Sequence, residues 1–166
     1  MKPDCWYVEI SSTLLGMGEM TDVERLQAVH DISFVIHEYA RLVDLNRVDE
    51  QVLCFAEDGI ANYFGSDIVG REAIRELIKP AVNKWDAMTT AISNIQIEIT
   101  GEISASSACY AHIWERNKDG DVIVRGQYHD EWVKISDGWK IQKRTFLVMG
   151  AIPPRPDAPG VGRLSF

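Results

Sequence analysis

The chain has 166 residues, of which 46% are hydrophobic and 25% are charged, and its net charge is −8 at pH 7. This length and mixture predict one globular domain with a buried core. They argue against a membrane span, because no apolar run approaches ~18 residues. They also argue against nucleic acid as a partner, because an acidic chain repels phosphate groups.

The N-terminal residues lack the pattern of a signal peptide, so we expect a cytoplasmic protein with reduced thiols. Its three cysteines, Cys5, Cys54 and Cys109, are odd in number, and no two have the spacing of a metal-binding pair. The chain also has no phosphate-binding glycine loop and no HExxH helix. The sequence therefore predicts neither a metal nor a cofactor.

Residues 1–20 follow no regular pattern and are predicted to be an extension that the domain core does not need. Met20 is an alternative start of the chain, because Thr21 or Asp22 directly after it can cap a helix. Apolar residues then recur at steps of three and four as far as Val43, which predicts one long helix. They are Leu26, Val29, Ile32, Ile36, Tyr39, Ala40 and Val43.

Shorter elements follow the long helix. Residues 48–55 are predicted to form a second helix, residues 60–64 a short strand and residues 65–67 a turn. A third helix is predicted over residues 72–79, where Pro80 ends it.

The second half of the chain has the alternation of apolar and polar residues that is typical of strands. The predicted strands are residues 89–100, 104–116, 122–135 and 139–149. Helices followed by a strand meander predict an α+β domain, in which the helices cover one face of a curved antiparallel sheet and leave a cavity. We assign residues 21–150 to this domain and the proline-rich residues 151–166 to a C-terminal arm.

Six segments in this order resemble the SnoaL-like family of the nuclear transport factor 2-like superfamily. They are residues 39–44, 55–59, 70–74, Asn94 at the head of an alternating strand, 126–130 and 137–141. The resemblance covers residues 22–150 and implies a cone-shaped, cystatin-like fold. That fold contains dehydratases, isomerases, a dehydrochlorinase, dioxygenase small subunits and proteins without chemistry, so function has to be argued from the site.

The resemblance implies catalytic roles for three residues. Asp44, at the end of the first helix, matches an aspartate that faces the cavity in dehydratases of the superfamily, where a raised pKa suits a general base. Tyr39 and Tyr63 match tyrosines that donate to a substrate oxygen. The alternatives are a local turn hydrogen bond for Asp44 and simple core packing for the tyrosines.

Further residues are expected to bind the substrate. Tyr128 shares a strand face with Gly126, which would leave room for a ligand, and with Asp130. Arg144 matches an arginine of the dehydrochlorinase; pointing inward it needs an anionic partner, either Asp44 or the ligand, and pointing outward it is a surface charge. Three more residues complete the expected binding set, namely Trp85, Thr90 and Phe146.

One departure from the family pattern concerns its histidine. Dehydratases and the dehydrochlorinase of the superfamily carry a histidine before the first long strand, where this chain has Thr90, and threonine is no base near neutral pH. Three alternatives follow: Asp44 acts as a base without a histidine, another histidine of the chain takes that role, or the protein has no catalytic activity. The four histidines, His30, His37, His112 and His129, pair with Asp44 in no obvious way and lack metal spacing.

These features lead to one functional hypothesis with two alternatives. The first is a cofactor-free lyase or isomerase acting on a small apolar cyclic or polycyclic molecule such as a steroid, terpenoid or polyketide. The alternatives are a non-catalytic binding protein and the small subunit of an aromatic-ring dioxygenase.

We also expect a homodimer, because aromatic residues occur on more than the inner face of the sheet. They are Tyr110, Trp114 and Trp132, with His112 beside them.

Overall fold

The computed structural model describes residues 20–63 and 65–154, so the predicted extension up to residue 19, Phe64 and the arm from residue 155 lie outside the described residues. The helices are α1 (Asp22–Asp44), α2 (Val48–Gln51) and α3 (Arg71–Asn83), with a short 3₁₀ turn, Val52–Cys54, after α2. The strands are β1 (Phe55–Asn62), β2 (Asp67–Val69), β3 (Ala87–Ile99), β4 (Ser104–Asn117), β5 (Gly120–Ile135) and β6 (Gly138–Ile152).

Helix α1 begins and ends at defined capping structures. The Thr21 hydroxyl accepts from the Glu24 amide, while the Glu24 carboxylate accepts from the Thr21 amide at 2.8 Å. This reciprocal pair satisfies two backbone donors at the start of the helix. Asn46, with φ of 54°, turns the chain out of the helix after Asp44.

The buried face of α1 differs slightly from the predicted one. Ile32 and Ile36 are fully buried as expected, but Leu26 and Val29 are 69% and 36% exposed, and Ala28 is buried instead. Ala28, Ile32 and Ile36 are spaced by four residues, so they form one stripe against the sheet. The helix prediction is thus confirmed, and only its first two turns were assigned the wrong face.

The six strands form one sheet in the order β2-β1-β6-β5-β4-β3. Four of its five pairings are antiparallel, and β1 pairs with β6 in parallel. The predicted α+β fold is confirmed, although the sheet is mixed rather than wholly antiparallel. Alternation in a sequence determines which side chains share a face, but it does not identify the strand that will lie beside a distant one.

The inner face of the sheet carries the core. On β4 this face includes Cys109, Ala111 and Ile113, all buried, and the register places Tyr128 opposite Cys109. Trp132 also lies on this face, at 3% exposure and opposite Ala105. Its predicted place in an outer aromatic surface is therefore wrong, because it shares the alternation of Tyr128 rather than that of Tyr110.

Helix α3 does not end at Pro80 as predicted but continues to Asn83. Pro80 has no amide and leaves the carbonyl of Glu76 without its helical donor. Its neighbours nevertheless keep the helical path, since Ile74, Ile78 and Val82 lie at steps of four and are all buried. Burial of Val82 on the same stripe offsets the lost hydrogen bond.

Two smaller differences lie between α1 and α3. The predicted second helix is split into α2 and the 3₁₀ turn, and β1 begins at Phe55, earlier than expected. Strand β2 was predicted only as a turn; it pairs with β1 through three residues, which is too short for an alternation to show. None of the described helices has the length and apolarity needed to cross a membrane.

Candidate functional site

A cavity of about 110 Å³ lies between the helices and the inner face of the sheet. Its wall is largely apolar, and five polar groups interrupt it: the hydroxyls of three tyrosines, the amide of Gln51 and the carboxyl of Glu115. A concave apolar site with a few polar groups is the usual form of a small-molecule site. The lining residues come from α1 (Tyr39 and Val43), the segment around α2 and β1 (Gln51 and Tyr63), α3 (Leu77, Ile78, Ala81 and Val82) and the sheet (Met88, Ile113, Glu115, Tyr128 and Phe146).

The structure brings Tyr39 and Tyr63 together at this cavity. Their hydroxyl oxygens are 2.7 Å apart, and either group can be the donor. Burial raises the pKa of both phenols, for Tyr63 well above its usual value, so both stay neutral at physiological pH. One O–H is used within the pair and the other remains able to donate. The pair can therefore donate a hydrogen bond to a ligand oxygen without carrying charge.

Arg144 lies beside the tyrosines and points inward. It is fully buried, and its Nε and Nη2 donate to the two oxygens of Asp130 at 2.7 Å each. Ser107 lies 3.5 Å from Asp130 and accepts from the Trp132 indole at 2.8 Å. The sequence predicted Asp44 or a ligand as the anionic partner of Arg144. Asp44 is not that partner, because Asp130 faces Arg144 directly across the β5–β6 pairing.

The guanidinium of Arg144 is held between two aromatic rings. Its Cζ lies 4.2 Å from the ring centre of Tyr39 and 4.2 Å from that of Tyr128. Burial acts to lower the pKa of Arg144, but the charge and hydrogen bonds of Asp130 outweigh it and leave the pKa well above its usual value. The guanidinium therefore keeps its charge, and it contacts both tyrosine rings through cation–π interactions.

Asp44 and Thr90 meet, as the resemblance implied, but away from the cavity wall. The Thr90 amide donates to one Asp44 oxygen at 2.9 Å, and its hydroxyl donates to the other at 2.8 Å. Burial raises the pKa of Asp44, while the two hydrogen bonds from Thr90 act in the opposite direction. The contact joins the end of α1 to β3, so it is neither a local turn nor a cavity-facing carboxylate in this structure.

Of the other residues that were expected to bind the substrate, some line the cavity and some do not. Tyr128 and Phe146 line the cavity, with ring centres 5.0 Å apart. Gly126 does not leave room for a ligand as predicted; a Cβ there would clash with the Phe146 ring and lie 2.7 Å from the Leu147 carbonyl oxygen. Trp85 follows α3 and does not line the cavity. The Nζ atom of Lys84 lies 5.1 Å from the centre of the Trp85 ring.

Two cavity residues escaped the sequence analysis. Glu115 is 9% exposed and follows Cys109, Ala111 and Ile113 on the inner face of β4, so the two-residue alternation could have found it. Gln51 is fully buried, and neither its Nε2 nor its Oε1 has a hydrogen-bond partner in the part of the chain that the structure describes. It follows two acidic residues on a short helix, a pattern typical of a solvated surface, so no signal in the sequence pointed to it.

The histidines take no part in this cavity. His30, His37 and His112 are exposed, and His129 lies on the outer face of β5 within 2.8 Å of Gln127. The side chain of Asp44 accepts hydrogen bonds from Thr90, not from an imidazole. Within residues 20–63 and 65–154, no group of three or more histidine, cysteine, aspartate or glutamate side chains is placed to hold a metal ion.

Comparison with solved structures shows the same fold in several proteins. A candidate scytalone dehydratase from Novosphingobium aromaticivorans is 23% identical with a TM-score of 0.79, and the match covers 87% of this chain and 100% of that one. A candidate aromatic-ring hydroxylase from the same organism is 25% identical with a TM-score of 0.69, covering 73% and 88%. A hexachlorocyclohexane dehydrochlorinase from Novosphingobium barchaimii is 15% identical with a TM-score of 0.72, covering 88% and 100%.

Sequence comparison finds no significant match among curated proteins. A family model, in contrast, matches residues 24–145, and this span contains every residue of the cavity wall except Phe146. The match extends over most of the chain and agrees with the observed order of helices and strands. The chain therefore belongs to the SnoaL-like domain family.

Proposed function

We propose that the chain is a cofactor-free lyase or isomerase that moves a proton on a small cyclic molecule held in the cavity. The observation that supports this most directly is the Tyr39–Tyr63 pair, two neutral hydroxyls 2.7 Å apart at an apolar wall. Such donors stabilise an oxygen on which negative charge develops when a neighbouring C–H proton is removed. The structural relatives named as a dehydratase and a dehydrochlorinase are consistent with this class of chemistry.

Two carboxyl groups compete for the role of proton acceptor. Asp44 is the residue that the family resemblance implies, and burial raises its pKa toward the range useful for a base. Its two bonds from Thr90 leave further lone pairs available, but its side chain does not line the cavity. Glu115 does line the cavity and lies on the rigid inner face of β4. Each carboxyl has to be tested on its own.

The size of the cavity limits the ligand. About 110 Å³ is below the range of roughly 300–1,000 Å³ that holds drug-sized molecules. It is closer to a cavity of about 150 Å³ that holds benzene. In this conformation the site accepts a single ring, so a steroid or other polycyclic ligand requires α3 to move outward from Met88 and Ile113.

A test that requires no knowledge of the natural substrate is deuterium exchange at the α-carbon of cyclohexanone in D₂O, followed by NMR. We expect the wild-type protein to accelerate the exchange, and Tyr39→Phe and Tyr63→Phe to slow it. Tyr110→Phe, on the outer face of β4, is the matched control and should change nothing. Cyclohexanone that fails to bind the wild-type protein at all would contradict the assignment of this cavity as the ligand site.

The same assay identifies the base. Loss of a general base typically lowers a rate by ~10²–10⁴-fold, so either Asp44→Asn or Glu115→Gln should show a loss of that size. Glu98→Gln, an exposed residue of β3, is the matched control. Equal and small effects of the Asp44 and Glu115 substitutions would contradict a carboxylate-based proton transfer.

A second function, ligand binding without turnover, is favoured by the Asp44–Thr90 contact. Where the family resemblance implies a histidine, Thr90 donates two hydrogen bonds to Asp44 and cannot act as a base near neutral pH. Cyclohexanone binding without exchange above the buffer rate would support this alternative. Retained binding in Asp44→Asn together with lost exchange would support the enzyme.

A further inference from the structure

Gln51 has an environment that the fold alone does not explain. It is the last residue of α2, its backbone amide donates to the Arg47 carbonyl at 2.9 Å, and its side chain is fully buried. Neither polar atom of that side chain has a partner among the described residues. Buried polar atoms are nearly always paired, because an unpaired amide in apolar surroundings destabilises the folded state.

The position does not need an amide for packing. A methionine or leucine would fill a similar volume without the desolvation cost, so a purely structural residue here would be apolar. Gln51 lies at the wall of the cavity, among several apolar side chains. They are Val43, Ile78, Val82, Met88 and Ile113. The amide of Gln51 is therefore a polar group without a partner in the described part of the chain that an incoming ligand meets on a largely apolar wall, in addition to the tyrosine hydroxyls and the Glu115 carboxyl.

We propose that Gln51 is the recognition residue of the cavity and that it selects a single-ring ligand with a hydrogen-bond donor and an acceptor on neighbouring atoms. This inference rests on the proposed ligand-binding function. A primary amide offers an N–H donor and a carbonyl acceptor side by side. Its complement is a cyclic lactam or a ring carbonyl with an adjacent hydroxyl. Ligands without that pair leave the amide unsatisfied and bind less well.

The experiment compares Gln51→Met with the wild-type protein, with Gln51→Leu as a second apolar variant and the exposed Gln96→Leu as the matched control. Thermal unfolding is measured first without ligand. Because an unpaired amide is removed, both Gln51 variants should unfold at a higher temperature, by about 2–4 °C. If the Gln51 side chain had a structural role, both variants would unfold at a lower temperature than the wild-type protein. A lower Tm in both variants therefore overturns the proposal.

Binding is then measured by calorimetry with three probes: 2-pyridone, which carries the donor and acceptor pair, 1-methyl-2-pyridone, which lacks the donor, and benzene, which lacks both. We expect wild-type protein to prefer 2-pyridone, and Gln51→Met to weaken 2-pyridone by about tenfold or more while benzene binds at least as well. Gln96→Leu should keep the wild-type preference.

The remaining outcomes separate this inference from the proposed function. Unchanged 2-pyridone binding in the Gln51 variants, even with a higher Tm, shows that the amide only lines a void and overturns the inference while leaving the cavity as a ligand site. Failure of the wild-type protein to bind any of the three probes contradicts the ligand-binding function itself, and the inference falls with it.

Discussion

Arg144 is the largest of the fully buried side chains in the described part of the chain, and Asp130 neutralises it. Removing one partner leaves an uncompensated charge inside the protein, which typically costs 3–5 kcal/mol. We expect Asp130→Asn to lower the free energy of unfolding by about 3–5 kcal/mol in urea titrations. The control is Asp121→Asn, since the Asp121–Arg116 pair is on the surface and its loss should have little measurable effect.

The double variant Asp130→Leu with Arg144→Met tests the same argument from the other side. Both charges are then replaced by apolar groups, so no buried charge is left unpaired. Its loss of stability should be smaller than that of Asp130→Asn alone. A double variant as unstable as the sum of its single variants would show that the two residues are not energetically coupled, which would contradict mutual neutralisation.

The thiols of Cys54 and Cys109 provide a second prediction at the level of single residues. Burial raises the pKa of each thiol to about 11, so the reactive thiolate is scarce at pH 8. In a Cys5→Ser background, native protein should resist iodoacetamide at pH 8, while urea-unfolded protein should take up two labels by mass spectrometry. Rapid labelling of the native protein would contradict the burial of these two side chains.

The same shift makes stability depend on pH in a defined direction. A thiol whose folded pKa is raised above its unfolded value of about 8.5 favours folding through its protonated form. That contribution is complete below pH 8.5 and is lost as the pH rises toward 11. Unfolding free energies measured from pH 7 to pH 11 should therefore fall in the upper half of this range.

Among the elements, the β5–β6 pairing sets the shape of the cavity through Gly126. The Phe146 ring occupies the space that a Cβ at residue 126 would need, and the Leu147 carbonyl oxygen would lie 2.7 Å from that Cβ. Gly126→Ala should displace the ring or the strand and cost about 1–3 kcal/mol. Because Phe146 lines the cavity, the variant should also weaken ring-compound binding; Gly150→Ala, with no atom near its added Cβ, is the control.

The elements that the sequence predicted well are those with many repeats of their period. Helix α1 extends over 23 residues and β4, β5 and β6 over 14 to 16 each, so their periodicity is clear. Pro80 misled the prediction because tertiary burial of Val82 outweighs a local helix-breaking preference. Strand β2 was missed because three residues are too few to show an alternation.

At the scale of the whole molecule, self-association stays a prediction. Trp132 no longer supports it, but Tyr110 and Trp114 lie partly exposed on the outer face of the sheet beside the exposed His112. Exposed aromatic surface of this kind tends to be covered by a second subunit. We expect light scattering at micromolar concentration to give twice the mass of the chain and Tyr110→Glu to reduce it; a monomer mass for the wild type would contradict the prediction.

The parts of the candidate site that follow the family pattern could be predicted from the sequence. The parts that depend on which elements pack together in space could not. Tyr39, Tyr63 and Tyr128 share the cavity because helix and strand periods place them inward. The partner of Arg144 depends on the β5–β6 register, which a sequence does not state. Gln51 carries no local signal at all, since its burial is imposed by the packing of the elements around a four-residue helix.

Pro80 has a consequence for how fast a ligand can enter and leave. The last turn of α3 lacks the hydrogen bond from residue 80 to Glu76, yet this turn contributes Ala81 and Val82 to the cavity wall. Local opening of that turn should therefore be less costly than opening elsewhere along the helix. We expect Pro80→Ala to slow both association and dissociation of 2-pyridone in stopped-flow measurements while its Kd changes little, because only the frequency of opening is altered. Unchanged rates would show that the ligand enters by another side of the cavity.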